Sequence, residues 1–592
     1  MPPPLQQLDA LIAAGKLQDA EKLAVSLLQR RGSDLDALGA MTFLLLKRRE
    51  FVRGEHFARR TLALVPDNPE AMTNLGAALT ELGRFSEALP HLQTALKLLP
   101  HSEIVRGHLC GALGELKRFE ESLRVASDGL AGNPHSAPLH AFAALACSRL
   151  GLAQDGLRLI DRACQLAPGN APYCSSRCTI ASYVPDISAD QTKRFAIEHA
   201  NAMQLRYGPP LAPSALLTSR ASNPAGTTRR LRVGIVSPDL RHHAVAAFIG
   251  PFIRNYDRAR IELSLYHSGS VTDSVSSGFK AGADFWQHVH GWSYVKLTET
   301  IRAAGTDVLI DLAAHSLCNA LPTFQMRAAP VQITFCGFPG STGLPAMDYR
   351  LTDRLTDPPD DSPEQAFTER LLYVPTSSHC FSPLSPLPDV APSPLSGGNP
   401  LTFGSLSSPM KLNDSLLKTW AAILKQLPAS RLLIKHEQLA SESDRAHLAR
   451  RAAAAGIPSN QLMIEPPAAG SGTLPEQYSR VDIALDTAPY TGTTTVCEAL
   501  LMGVPVITLR GNLTQGRVGA AMLTMAGLGD FIATTPQHYQ NIALQLAADL
   551  PRLKALRSTL RRQVQSSPLC DEKSFAHDLS ETLLALRPEA MV

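Results

Sequence analysis

Three consecutive threonines, Thr493, Thr494 and Thr495, follow a glycine in the last fifth of this 592-residue chain. The run "VDIALD" before them is typical of a buried strand ending at Asp486, and the residues after them are typical of a helix. Backbone N–H groups at a helix N-terminus attract phosphate, Gly492 allows close approach of a ligand, and threonine hydroxyls add donors. The spacing therefore predicts a phosphate site, with a threonine-capped helix as the structural alternative.

Two charged residues extend this predicted site. Glu498 lies one turn into the predicted helix. Because phosphate would repel a carboxylate, we expect Glu498 to accept hydrogen bonds from ribose hydroxyls instead. Lys411 lies in the loop after the strand-like run "LTFGSL", where its ammonium group can neutralise a diphosphate leaving group. A solvent-exposed lysine is the commoner alternative.

Histidines and a Gly/Pro loop follow other predicted strands. "SPDLRHHAVAAF" places His242 and His243 after the strand "LRVGIVS", and "DLAAHS" places His315 after another strand. A histidine at a strand end can face a ligand cleft and meet a sugar or an acceptor; a structural histidine is the alternative. The loop "GFPGSTG", with Pro339 and Gly340, suits backbone contacts to a polar ligand. No Asp-x-Asp follows a strand convincingly, so we expect positive protein groups in place of a metal.

The elements that must position these residues form two α/β lobes. Short apolar runs alternate with helical segments over residues 231–381 and again over residues 401–592. Such alternation predicts mostly parallel, doubly wound sheets, with ligands bound beyond the carboxyl ends of the strands. Stretches rich in proline, serine and glycine, residues 207–230 and 382–400, are predicted linkers.

The first third of the chain, residues 1–206, has a different texture. Prolines recur every 34 residues, at Pro66, Pro100, Pro134 and Pro168. Small residues follow the same step where paired helices must cross. A period of 34 with helix–turn–helix texture predicts tetratricopeptide repeats followed by further helices. Such repeats commonly bind a peptide or protein partner, and a scaffold without a partner is the alternative.

Composition excludes several classes of protein. Net charge is +3, with 18% charged and 44% apolar residues, so nucleic acid and membrane surfaces are not expected partners. We expect no transmembrane helix and no signal peptide, because no apolar run is long enough and the N-terminus lacks a basic start. Ten scattered cysteines suggest reduced thiols in a cytoplasmic protein.

Taken together, several motifs resemble one family. They are "LRVGIVSPDLRHH", "RAAPVQITFCGFPGSTG", "MDYRLTD", the Lys411 loop, "LDTAPYTGTTTVCEAL" and "GVPVITLRGNLTQGRVGAAML". The chain is similar, over almost its whole length, to the tetratricopeptide-containing protein O-linked N-acetylglucosamine transferases. The resemblance implies a tetratricopeptide superhelix followed by a GT-B glycosyltransferase of two Rossmann-like lobes.

The resemblance also implies a reaction and its residues. N-acetylglucosamine would pass from UDP-N-acetylglucosamine to serine or threonine hydroxyls of proteins, with inversion, without a metal and without a further cofactor. Where this sequence matches the motifs of the family, His243 would lie near the sugar and the acceptor, and Lys411 would bind the diphosphate. The three threonines would bind phosphates and Glu498 the ribose. Arg517, in "LTQGRVG", matches a family arginine of the cleft or of the scaffold.

This sequence departs from the long animal-type members. A uridine-contacting histidine aligns near Leu474, a glutamine near the lysine is replaced by Ser408, and the histidine of the phosphate loop becomes Thr493. Uridine would then be held by backbone around Ala469. Tyr490, beside the donor, can reshape the sugar pocket. Alternatives are therefore another nucleotide sugar such as GDP-fucose, a catalytically inactive adaptor, or a GT-B epimerase.

Overall fold

A computed structural model describes residues 4–217, 229–466 and 474–586 of the chain. The chain divides into two compact units. One unit comprises Met1–Leu150 with Ala440–Asp444, and the other comprises Gly151–Leu439 with Arg445–Val592. The predicted boundary at residue 206 therefore lies inside the second unit, which contains the last helices of the repeat-like segment together with both α/β lobes.

The first unit is helical, as the period of 34 predicts. Its helices are α1 (Pro4–Ala13), α2 (Leu17–Arg30), α3 (Leu35–Lys47), α4 (Phe51–Leu64), α5 (Pro69–Glu81), α6 (Phe85–Leu98), α7 (Glu103–Glu115), α8 (Phe119–Gly132) and α9 (Ala137–Arg149). The repeating prolines Pro66, Pro100 and Pro134 lie in the turns before α5, α7 and α9. The N-cap residues of helices α5, α7 and α9 are Asn68, Ser102 and Ser136. Each of their side chains accepts a hydrogen bond from a backbone N–H of the first turn.

The small residues of the repeat lie where paired helices cross. Ala88 and Ala95 are fully buried. A Cβ atom added at Gly129 would stand 2.6 Å from Leu139 and 2.8 Å from Arg106, so a larger residue would displace these two side chains. The predicted tetratricopeptide architecture is confirmed in this unit, because small side chains at a fixed step let antiparallel helices pack closely.

The second unit begins with four helices. These are α10 (Ala153–Leu166), α11 (Ala171–Ala181), α12 (Ala189–Tyr207) and the short α13 (Pro213–Leu217). Helix α13 lies within the predicted linker 207–230, of which residues 218–228 fall outside the described residues.

The first α/β lobe has seven parallel strands. They are β1 (Leu231–Ser237), β2 (Ile261–His267), β3 (Phe285–His288), β4 (Val308–Asp311), β5 (Val331–Thr334), β6 (Tyr349–Thr352) and β7 (Arg370–Tyr373), in the order 3-2-1-4-5-6-7. The order reverses direction between β1 and β4, which is where ligands bind in such sheets. Its helices are α14 (Ala244–Asn255), α15 (Ser274–Gly282), α16 (Tyr294–Ala303) and α17 (Leu321–Gln325).

The second lobe has six parallel strands. They are β8 (Thr402–Ser405), β9 (Arg431–Lys435), β10 (Leu462–Glu465), β11 (Ile483–Leu485), β12 (Val506–Leu509) and β13 (Ile532–Ala533), in the order 10-9-8-11-12-13. Its helices begin with α18 (Asp414–Gln426), α19 (Glu442–Ala454), α20 (Leu474–Gln477) and α21 (Thr494–Leu501). They continue with α22 (Thr514–Met525), α23 (Pro536–Ala548), α24 (Leu550–Gln565) and α25 (Glu572–Leu584). The two predicted Rossmann-like lobes are thus present.

The last helix, α25, packs on the first lobe, although the sequence grouped it with the second lobe. Phe575, Leu579 and Leu583 of α25 are buried in the core of the first lobe, beside α14. The chain therefore passes between the lobes twice, once after β7 and once before α25. The two connecting segments lie side by side. The backbone N–H of Phe381 in one donates to the carbonyl of Leu569 in the other at 2.8 Å.

The sequence did not predict strands β3 and β13. Strand β3 is "FWQH", whose residues are half-buried or exposed, and β13 has two residues. Both are edge strands, which lack the long apolar run of central parallel strands. Within residues 4–217, 229–466 and 474–586, no helix is long and apolar enough to cross a membrane.

Candidate nucleotide-sugar site

The loop before the three threonines is fixed by Asp486 at the end of β11. Its Oδ1 accepts the backbone N–H of Gly492 at 2.6 Å and that of Thr487 at 2.8 Å, and its Oδ2 accepts the Thr508 hydroxyl at 2.7 Å. A Cβ atom at Gly492 would stand 2.5 Å from Thr495 Oγ1 and 2.9 Å from Asp486 Oδ1, so a larger residue would displace these side chains. One buried carboxylate thereby shapes the entry to α21.

The start of α21 leaves several donors unused. Thr493 occupies the N-cap position, yet its side chain makes no capping hydrogen bond. Among the described residues, the N–H groups of Thr494 and Thr495 have no acceptor, and the buried Oγ1 of Thr494 has no partner. Unpartnered donors at a helix N-terminus suit an anionic ligand. This geometry favours the predicted phosphate site over the threonine-capped alternative.

Glu498 lies on the first turn and a half of α21. Its Oε2 atom is buried and has no hydrogen-bond partner in the described part of the chain. Burial raises the pKa of the Glu498 carboxyl to about 8. The group is therefore protonated and neutral at pH 7 and can face a ribose hydroxyl without repelling a nearby phosphate.

Lys411 approaches the same loop from the other side. Its Nζ donates to the carbonyl of Thr491 at 2.7 Å and lies 4.3 Å from the centre of the Tyr490 ring. Burial lowers the pKa of Lys411 to about 8, against the opposing effect of Asp486. The ammonium form thus still predominates at pH 7, and a diphosphate bound at α21 would meet this cation.

Tyr490 is held between two elements. Its ring stacks on Tyr183, which follows α11, at a centroid distance of 4.9 Å and an interplanar angle of 12°. Thr487 donates its hydroxyl to the Tyr490 carbonyl at 2.7 Å. The aromatic stack fixes the ring beside Lys411, in the place where the sequence predicts an influence on the sugar.

Ser408 and Thr493, two of the residues that differ from the long animal-type enzymes, lie in the loops that contain Lys411 and the three threonines. Ser408 donates to Oε1 of Gln438 at 2.8 Å, so an amide still stands beside the lysine loop. Leu474 begins α20. Ala469 lies outside the described residues, and its predicted contact with the base stays a prediction.

The Gly/Pro loop of the first lobe reaches the threonine loop of the second. Arg350 on β6 donates to the carbonyls of Phe338 at 3.0 Å and Gly340 at 3.2 Å, which fixes the loop around Pro339. Pro339, Tyr490 and Thr493 line one cavity of about 40 Å³ between the lobes. The structure therefore brings these three predicted residues together.

His243 is the N-cap residue of α14. Its Nδ1 accepts the backbone N–H of Val245 at 3.3 Å and lies 3.6 Å from Oδ2 of Asp239. Burial lowers the pKa of His243, with Asp239 opposing the shift, so the ring is neutral at pH 7. Acceptance at Nδ1 places the proton on Nε2, from which the ring can donate to a ligand. No contact of His243 in the described residues reaches the threonine loop.

His315 lies beneath the Gly/Pro loop. Its Nδ1 is 3.1 Å from Ser175 Oγ and its Nε2 is 3.1 Å from the Ser341 carbonyl oxygen. The ring also packs edge-to-face on His199 and Phe338. Burial lowers the pKa of His315 to about 4. With both nitrogens engaged, the contacts favour the structural alternative over a role in the cleft.

Arg517 on α22 joins the two lobes. Its guanidinium lies 3.7 Å from Asp357 and 3.2 Å from Asp361 of the first lobe. Thr514 donates to the same Asp357 at 2.6 Å. The side chain is only 5% exposed, yet it also lines a cavity of about 550 Å³ between the lobes, so the two roles predicted for this arginine both stay predictions.

Comparison with known proteins places the chain in a family. The model of glycosyl transferase family 41 matches residues 189–381 and 399–579. The chain belongs to glycosyl transferase family 41. A tetratricopeptide repeat model matches residues 79–146. The predicted resemblance and fold class are confirmed.

Several family 41 proteins are similar to this chain. The probable UDP-N-acetylglucosamine–peptide N-acetylglucosaminyltransferase SPINDLY of Oryza sativa subsp. japonica is 36% identical over 361 residues, which cover 60% of this chain and 39% of the plant protein. The probable enzyme SEC of Arabidopsis thaliana is 27% identical over 421 residues, covering 68% and 42%. The chain thus spans about two fifths of the length of these curated relatives.

One solved structure covers nearly the whole chain. It is a lysine-to-methionine variant of the Thermobaculum terrenum O-GlcNAc transferase, with a TM-score of 0.74 and 29% sequence identity. It covers 94% of this chain and 98% of that protein. The helical repeats and both lobes of this family 41 chain therefore have a counterpart of similar size.

The sequence did not predict three residues that shape the candidate site, namely Asp486, Tyr183 and Arg350. It gave Asp486 no role, although an aspartate directly after a buried strand and before a Gly-containing loop is a usable signal. Tyr183 and Arg350 come from distant segments, and their contacts depend on tertiary packing. Within the described residues, no group of three or more His, Cys, Asp or Glu side chains is arranged to hold a metal ion.

The raised pKa of Glu498 leads to a testable pH dependence. Above pH 8 the carboxyl gains a negative charge beside the phosphate site, so UDP affinity should fall about tenfold per pH unit from this group. Glu498→Gln stays neutral and should bind UDP at pH 7 within about threefold of the unsubstituted chain. At pH 9 Glu498→Gln should bind UDP more tightly than the unsubstituted chain does. Calorimetry at both pH values measures the difference.

Lys411 also loses its proton near pH 8, but it does so in both proteins, so its contribution cancels in the comparison. Glu498→Ala provides the second control, because it removes the ribose contact and should weaken binding at both pH values. A glutamine variant that binds poorly at pH 7 would show that the ionised carboxylate is required.

Proposed function

We propose that this family 41 chain transfers a sugar from a nucleotide diphosphate donor to serine or threonine hydroxyls of proteins, the donor being UDP-N-acetylglucosamine. The observation that carries the proposal is the set of unused donors at the start of α21, formed by Thr494 and Thr495 and flanked by Lys411. Such an array suits a diphosphate. The printed names of the plant relatives and of the Thermobaculum terrenum enzyme support the donor sugar.

The proposed reaction is a direct displacement with inversion. The acceptor oxygen forms a bond to the anomeric carbon while the bond from that carbon to the β-phosphate oxygen breaks. The bonding electrons go to the diphosphate, where the helix N-terminus and the Lys411 ammonium stabilise the growing charge. The acceptor proton leaves to a base. These protein groups supply the positive charge, and we propose that neither a metal nor another cofactor is needed.

The acceptor side is assigned to His243 and the repeats. His243, neutral at pH 7, donates from Nε2 to the sugar or the acceptor. The tetratricopeptide repeats bind the acceptor protein, since a small-molecule acceptor needs no repeat array. A cytoplasmic location and the absence of nucleic-acid and membrane partners stay predictions from composition.

A panel of nucleotide sugars tests the proposal. Each donor, including UDP-N-acetylglucosamine and GDP-fucose, is incubated with the full chain and a protein extract, and labelling is followed by mass spectrometry. Labelling of serine or threonine by N-acetylglucosamine alone supports the proposal. Labelling by fucose would identify the alternative donor. Binding of no nucleotide in calorimetry would favour an inactive adaptor.

His243→Ala separates binding from transfer. We expect transfer to fall about 10²-fold or more, because a group beside the reacting atoms is removed. UDP affinity should stay within about twofold, since among the described residues His243 contacts Val245 and Asp239 and not the threonine loop. Transfer rates and calorimetry on the same preparations provide both readouts. His538→Ala, on the exposed side of α23, is the matched control. A parallel loss of UDP binding would make His243 a nucleotide-binding residue.

A further inference from the structure

One histidine beside the donor site has no role in the reaction as described. His379 lies shortly after β7 and lines the same 40 Å³ cavity as Pro339, Tyr490 and Thr493. Its side chain is 12% exposed, and its ring packs edge-to-face on Phe248 at 5.7 Å. The position faces the space between the phosphate site and the first lobe.

The hydrogen bonds around His379 determine which ring nitrogen carries the proton. Ser378 donates its hydroxyl to Oδ2 of Asp353 at 2.5 Å, and the same Ser378 oxygen lies 3.0 Å from Nδ1 of His379. Because the serine proton is directed to Asp353, the serine oxygen accepts from Nδ1–H.

Asp353 is suited to act as an acceptor. It also accepts the backbone N–H groups of Leu355, Thr356 and Ser378 at 2.7–2.9 Å. Burial alone would raise the pKa of Asp353, but the interactions with His379 and Ser378 outweigh burial and hold the pKa well below its usual range. Asp353 is therefore a carboxylate, and the contacts of Ser378 favour the imidazole tautomer of His379 that carries its proton on Nδ1.

This arrangement leaves Nε2 of His379 with a free lone pair. Among the described residues, Nε2 has no protein partner, whereas Nδ1 is engaged. We propose that Nε2 of His379 accepts a hydrogen bond from a hydroxyl or amide N–H of the donor sugar and so helps to select that sugar. The proposal rests on the proposed function. A cavity of about 40 Å³ has room for a small polar substituent of the donor sugar.

Two polar variants test the assignment. The acceptor oxygen of glutamine reaches the position of Nε2, whereas that of asparagine reaches only the position of Nδ1. We expect His379→Asn to raise the KM for UDP-N-acetylglucosamine, or for whichever panel donor is used, about tenfold. His379→Gln should stay within about threefold. Both variants should bind free UDP within about twofold of the unsubstituted chain. His538→Asn, on the surface of α23, should change neither quantity.

A third variant leaves the imidazole in place. Ser378→Ala removes the acceptor for Nδ1–H, so the proton is no longer held there, and the KM for the donor should rise several-fold with UDP affinity unchanged. Thermal melting verifies folding, and Ser378→Ala decides the question if a His379 variant does not fold.

Equal KM values for His379→Asn and His379→Gln would overturn the assignment, as would an equal loss of UDP and donor binding, or an unchanged KM in Ser378→Ala. These results are distinct from failure of the proposed function, in which the unsubstituted chain itself binds no nucleotide and transfers no sugar.

Discussion

Lys411→Ala is expected to reduce sugar transfer about 10²- to 10³-fold, the loss typical of removing one group that stabilises charge developing in the transition state. Lys411 is a cation in direct contact with the threonine loop, with Nζ 2.7 Å from the Thr491 carbonyl oxygen. The diphosphate becomes more negative as the sugar leaves, so the ammonium contributes more to the transition state than to ground-state binding. We therefore expect UDP affinity to fall much less than the transfer rate. Single-turnover transfer and UDP calorimetry measure the two effects.

The control for this variant is Lys418→Ala. Lys418 is exposed on α18 of the same lobe and should be replaceable without effect. Thermal melting should show that Lys411→Ala is folded, because within the described part of the chain the ammonium makes one hydrogen bond, to the Thr491 carbonyl. Near-normal transfer by Lys411→Ala would remove the residue from the mechanism.

Asp486→Ala is expected to destabilise the second lobe by about 3 kcal/mol, because three donors lose their acceptor in a buried place. These donors are the backbone N–H groups of Thr487 and Gly492 and the hydroxyl of Thr508. Gly492 would no longer be held against β11, so the start of α21 would lose its position and UDP binding would be lost as well. Urea unfolding followed by tryptophan fluorescence, to which the buried Trp420 contributes, measures the first effect.

Asp530→Ala is the matched surface control. Asp530 pairs with Arg552 at 3.0 Å, but its side chain is 81% exposed, so its removal should change the free energy of unfolding by less than about 1 kcal/mol. Asp486→Asn should lie between the two, because its amide oxygen still accepts the N–H groups while the charge is lost. Unchanged unfolding of Asp486→Ala would contradict the assigned role of this carboxylate.

Much of the fold was accessible from sequence periodicity. The step of 34 residues predicts the helix pairs, because each repeat must place small residues such as Ala88 and Ala95 at the same crossing. The central strands of both lobes are predicted from their apolar runs, since parallel strands are buried on both faces. The edge strands β3 and β13 lack that signal. The place of α25 was also inaccessible, because an amphipathic helix does not specify which sheet it covers.

The candidate site was only partly predictable. Thr494, Thr495 and Lys411 follow strands, and the rule that ligands bind at strand ends places them together. His315 obeys the same rule, yet Ser175 and Ser341 occupy both of its nitrogens. His379 gave no signal, because its role depends on Asp353 from another segment. Sequence position thus predicts which residues reach the cleft edge, whereas hydrogen bonding decides which side chains remain available to a ligand.

The return of the chain to the first lobe determines how the two lobes can move. Their two covalent connections run next to each other and are joined by the hydrogen bond between Phe381 and Leu569. Two adjacent tethers define a single hinge line, about which rotation is the relative movement of the lobes that the covalent connections oppose least. The mouth of the cleft would then open as an angle, and the ion pairs of Arg517 would set how far it opens. A sugar donor would enter by this rotation and be enclosed when it reverses.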